Sequence, residues 1–138
     1  MSFLVYSSVV VLTIISFIHF YWIFGGRWGK TASVPEKIGG DALFTPSTIE
    51  TLIVALGLLL VGFMLLAQFN AIPFYPPNIL TKVFCIVFTF VFFLRAIGDF
   101  KYLGFTKRVK DTTFAKYDTR YYSPLCFYLG ISFLLMWL

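Results

Sequence analysis

"TLIVALGLLLVGFMLLAQFNAIPFYPPNILTKVFCIVFTFVFFLRAI", residues 51–97, consists of two apolar runs on either side of a proline-rich connection. Neither run alternates with a period of two, as the strands of a membrane barrel must. Each is continuous and close to the ~20 residues that a helix needs to cross a hydrocarbon core. The connection "NAIPFYPPN" at 70–78 holds three prolines, which cannot continue a helix, and Phe74 and Tyr75, which suit a membrane interface. The stretch predicts two antiparallel transmembrane helices joined in a tight hairpin.

Two further apolar runs flank it. The sequence therefore predicts an all-α fold, a polytopic membrane protein built as an antiparallel bundle of four transmembrane helices at about 3–24, 48–69, 79–97 and 119–138. The 138 residues suit one membrane domain spanning 1–138. Composition agrees: 59% of residues are hydrophobic and only 12% are charged, about half the charged share of a soluble domain. The first run lacks a basic start and a small-residue cleavage site, so it reads as a retained helix rather than a signal peptide.

Charge sets the expected orientation. Arg27, Lys30 and Lys37 fall in the loop 25–47. Lys101, Lys107, Arg108, Lys110 and Lys116 fall in the loop 98–118, with Arg95 and Arg120 at its edges. The short loop 70–78 carries no basic residue, and only Lys82 lies near it. The positive-inside rule then puts both long loops in the cytoplasm and both termini outside, in a cell's inner (plasma) membrane. The net charge of +5 reflects this orientation and an attraction to anionic headgroups along loop 98–120. A basic soluble face for nucleic acid is missing. Cys85 and Cys126 fall at different depths and form no C-x-x-C pair, so both read as packing residues.

Ionisable residues inside a membrane default to functional candidates, and here all four helices place them at one level, the cytoplasmic end. His19 lies one to two turns from the end of the first helix. Glu50 opens the second, Arg95 and Asp99 close the third, and Asp118 and Tyr121 open the fourth. With Trp22, these residues form a candidate ligand-binding set for a polar pocket open to the cytoplasm. Each also has a plainer reading. Glu50 three residues after Ser47 matches a capping box, Arg95 and Asp99 are four apart and would pair along the helix, and Trp22 fits the aromatic belt. His19 would bond a carboxylate across the bundle, with Glu50 or Asp118 as its expected partner. "DTTFAKYD" at 111–118 would be a short surface helix capped by Asp111. Pro124 would bend the fourth helix and free the carbonyl of Arg120.

"HFYWIFGGRWG" at 19–29 and "RAIGDFKYLGFTKRVKDTTFAKYDTRYYSPLC" at 95–126 resemble a family of small bacterial four-helix membrane proteins catalogued as a domain of unknown function. The resemblance covers nearly the whole chain. It implies four transmembrane helices and no particular activity. The positions that match its pattern are His19, Trp22, Gly25, Gly26, Trp28, Gly29, Arg95, Gly98, Asp99, Gly104, Asp118, Ser123 and Pro124.

No nucleotide, haem, flavin or metal motif is present, so no cofactor is expected, and one histidine without paired ligands argues against zinc. An enzyme would need a second catalytic group beside His19, and none is evident. The leading expectation is a protein that binds a lipophilic or amphipathic small molecule in the cytoplasm-facing pocket. The alternatives are an accessory or structural subunit that docks a membrane partner or a second copy, and an oligomeric transporter. The uncharged middle of the bundle disfavours the last.

Overall fold

The structure, a computed structural model, describes residues 1–29, 33–34, 47–98, 104–110 and 112–138. Among them it is all helical: α1 (Ser2–Ile23), α2 (Thr48–Gln68), α3 (Ile79–Ile97), α4 (Thr113–Tyr117), a π-helical turn (Asp118–Tyr122) and α5 (Ser123–Trp137). Helices α1, α2 and α3 are long and apolar enough to cross a membrane.

Local chemistry sets where these helices start and stop. Helix α1 ends in a Schellman motif: Gly25, at φ 96°, donates to the Trp22 carbonyl and Gly26 to that of Tyr21. Helix α2 begins with the capping box, in which Ser47 Oγ accepts from the Glu50 N–H and Glu50 Oε2 accepts from the Ser47 N–H. Its far end repeats the Schellman pattern with Asn70, at φ 62°, in the left-handed position. Helix α3 starts on Asn78, whose side chain accepts from the N–H groups of Leu80 and Thr81.

The fourth helix differs from expectation. Helices α4, the π-turn and α5 follow one another with right-handed helical backbone at both junctions, so the segment begins at Thr113 rather than near 119. Its cap is Thr112, whose hydroxyl accepts from the Ala115 N–H. Pro124 has no N–H to give the Arg120 carbonyl, and the turn before it widens. There the Ser123 N–H reaches five residues back to the Asp118 carbonyl. The three pieces of 5, 5 and 15 residues together reach roughly 35 Å at about 1.5 Å per residue.

The most extensive contacts join α1 to α2 and α3 to α5, whereas the hairpin partners α2 and α3 touch less. Loop length sets the order of the helices, and small residues set how closely they approach. Ser16 donates to the Ala55 carbonyl at 2.6 Å, which requires the backbones of α1 and α2 to lie close. In α5, Gly130 faces the Phe93 ring of α3 so closely that a Cβ would meet it at 2.8 Å. Between the two pairs run hydroxyl contacts, Ser8 to Ser132 at 2.7 Å and Ser7 to Tyr128 at 2.6 Å. Phe92 and Phe133 fill the core with Leu12, Leu65 and Leu129.

Candidate functional site

The C-terminal end of α3 leaves its last carbonyls without intrahelical donors, and the following loop folds back to supply them. Phe105 donates to the Ala96 carbonyl at 2.8 Å and Thr106 to that of Ile97. The fold-back depends on Gly104, at φ 78°, where a Cβ would run into the Ile97 carbonyl and Gly98. The loop thereby brings Gly104 and Lys107 up to the π-turn of the fourth helix, and to Asp118.

Asp118 is fully buried. Its Oδ2 accepts from the Gly104 N–H at 2.7 Å and meets the Lys107 ammonium at 3.1 Å. Its Oδ1 lies 2.9 Å from Arg95 Nη1, off the hydrogen-bond axis, so that each of these two atoms lacks an aligned partner. Lys107 is itself buried and also donates to the Gly104 carbonyl at 2.9 Å. The Arg95 side chain is 28% exposed and its guanidinium lies 5.9 Å from the centre of the Phe114 ring. Ser123, one π-turn beyond Asp118, is buried with its hydroxyl unpartnered.

Two cations thus converge on one carboxylate, at the junction of α3, the loop and the fourth helix. Buried charges persist only when paired, and Asp118 lies within ion-pair distance of both cations. The arrangement can do two things chemically. It fixes the loop to the helix, and among the described residues it sets two cations, the half-open Arg95 and the buried Lys107, against one carboxylate.

The other expected residues that are described do not join it. His19 is half-buried and holds its own helix: Nδ1 lies 2.7 Å from the Ile15 carbonyl, which can only accept, so Nδ1–H is the donor. Its ring packs edge-on against Trp22 at 4.8 Å. Trp22 in turn donates to the Trp28 carbonyl at 2.8 Å. The expected carboxylate partners are engaged elsewhere, Glu50 in its cap on an exposed turn and Asp118 with Arg95 and Lys107. Tyr121 is 50% exposed and stacks on Tyr117, facing away from the carboxylate. Asp99 lies outside the described residues, as does Asp111, the cap expected for "DTTFAKYD". An open apolar groove of about 440 Å³ lies along the outer face of α1, lined by Ile14, Phe17, Ile18, Tyr21 and Trp28.

Residues 12–133 match the family described as "Protein of unknown function (DUF3995)". The chain belongs to that family. No curated protein and no solved structure matches it. The family description carries no activity, so the site has to be read from its own geometry. In this member, sequence reasoning singled out Arg95 and Asp118 but missed Lys107 and Gly104 as their partners. The available cue was Gly104 three residues before Lys107 in an aromatic loop, the spacing at which a glycine turn can fold a lysine back over itself.

Proposed function

We propose that this chain is a multi-pass membrane protein that holds the anionic head of an amphipathic small molecule at the cytoplasm-facing end of its bundle. The observation that carries this reading is the charge imbalance at Asp118, where, among the described residues, Arg95 and Lys107 share one carboxylate. Lys107 is enclosed, so the surplus is available at Arg95, whose exposed part offers planar donors for a carboxylate or phosphate. The phenylalanine-rich core is filled by protein side chains, so the apolar tail lies in the bilayer beside Arg95 rather than inside the bundle.

The test is mass spectrometry of small molecules that copurify from native membranes. Arg95→Gln is expected to lower the bound amphipathic species by about tenfold or more, the worth of one charge-assisted hydrogen bond, while Arg95→Lys retains part of it. His19→Ala should leave it in place, because His19 bonds within α1. Retention of the same species by folded Arg95→Gln would sink the reading, and its loss in His19→Ala would move the site to α1.

The second reading, an accessory subunit, draws on a different observation: the outward groove on α1, between rings of Phe17, Tyr21 and Trp28. Under this reading a second membrane protein copurifies in fixed proportion, and bulky substitution at Ile14 displaces it.

A further inference from the structure

The basic residues of the second loop do not form one population. Lys107 is buried on Asp118, whereas Arg108, Lys110, Lys116 and Arg120 are exposed. Three aromatic residues are exposed at the same end: Phe105 at 51%, Tyr117 at 43% and Tyr121 at 50%. Tyr117 and Tyr121 stack at 6.0 Å, and the Arg120 guanidinium lies 5.3 Å from the Tyr121 ring centre. Lys116, Tyr117, Arg120 and Tyr121 thus form one stripe on the first turns of the fourth helix, just ahead of its apolar part.

A face in contact with water alone has no reason to expose two stacked rings, and a face in hydrocarbon does not carry two cations. Stacked tyrosines beside arginine and lysine suit the headgroup layer, with rings at the level of the ester groups and cations on phosphates. An arginine lying over a ring keeps its edge donors free for an acceptor.

We infer that this stripe is a docking surface for anionic phospholipid headgroups, selecting acidic over zwitterionic lipid, and that Lys107 has no part in it. This is separate from the amphipathic molecule proposed at Arg95, and the two are told apart by which substitution abolishes which binding.

The experiment reconstitutes the full chain in nanodiscs of mixed phosphatidylglycerol and phosphatidylcholine and reads, by native mass spectrometry, the ratio of the two lipids retained. The native chain is expected to retain phosphatidylglycerol well above its share in the disc. Each of Arg120→Gln and Lys116→Gln should reduce the enrichment by up to about fivefold, from about 1 kcal/mol per basic residue at an anionic surface. The combined Arg108→Gln, Lys110→Gln, Lys116→Gln and Arg120→Gln variant should bring it to the bulk ratio. These side chains are exposed, so the fold is expected to persist. Lys82→Gln, an exposed cation on the first turn of α3 at the opposite end, serves as control and should change nothing. Undiminished enrichment in the combined variant overturns the inference. So does an equal loss in Lys82→Gln, because the attraction would then follow net charge rather than this stripe. Loss in Arg95→Gln alone would assign the retained lipid to the Arg95 site and overturn it as well.

Discussion

Asp118 is the residue on which most of the end of the bundle around the α3 C-terminus depends. It is fully buried and answers Arg95, Lys107 and the Gly104 N–H together. Removing one partner of a buried ion pair leaves the other charge uncompensated and costs about 3–5 kcal/mol. Asp118→Asn keeps the shape and an acceptor for Gly104 but strands Lys107, whose only other acceptor among the described residues is the Gly104 carbonyl. A loss of that order is expected, read as a lowered unfolding temperature in detergent. Adding Lys107→Met to Asp118→Asn should recover much of it, because the stranded charge is gone. The Arg95 contact contributes less, since a side chain 28% exposed is partly screened by solvent. If Asp118→Asn unfolds with the native chain, the cluster is not what holds this end. His19, which stands out most in the sequence, has a simpler place. Its Nδ1–H satisfies the Ile15 carbonyl one turn back, and its ring rests on Trp22.

At the scale of elements, the π-turn explains why some residues were legible and others were not. Helix ends with local causes could be read directly: Ser47 and Glu50 form the cap that their spacing predicts, and Pro124 disturbs the fourth helix as a missing donor must. Tyr121 was grouped with Asp118 by its level at the start of the fourth helix, which says nothing of the face it takes. The wider turn carries Tyr121 round to the outside. The pairing of Lys107 with Asp118 depends on an irregular loop folding back through Gly104, and periodicity contains no information about such a path. The turn itself is testable through Pro124→Ala. A restored N–H can close the α-helical ladder onto the Arg120 carbonyl, which rotates the segment 113–118 against α5 and draws Asp118 off its cations. Amine labelling followed by peptide mass spectrometry reads the result. Lys107 is protected in the native chain while Lys110 and Lys116 react, as their exposure dictates. In Pro124→Ala, Lys107 is expected to react toward the rate of Lys110. Unchanged protection would mean that tertiary contacts, rather than the proline, hold the wide turn.

At the scale of the whole molecule the open question is which way the bundle faces, since both proposals put their anion on the cytoplasmic side. Among the described Lys and Arg residues, Lys82 alone lies toward the end that carries the loop 70–78. Burial of Lys107 against Asp118 cancels one cation at the other end but leaves the bias intact. Each charge moved against the membrane potential costs about 2.3 kcal/mol per 100 mV, so the proposed orientation keeps the basic end inside. The orientation predicts the outcome of labelling with a membrane-impermeant maleimide after Cys85→Ala and Cys126→Ala remove the natural thiols. Pro76→Cys, on the exposed turn between α2 and α3, should react on intact cells. Arg108→Cys, exposed beside the buried Lys107, should react only after the membrane is opened. The reverse pattern would turn Arg95 and the tyrosine stripe toward the outer leaflet. The acidic-lipid selection would then face a surface with little anionic lipid to select, and the inferred docking face would lose its partner. Reaction of both positions on intact cells would place both ends of the bundle on one side and exclude a spanning arrangement altogether.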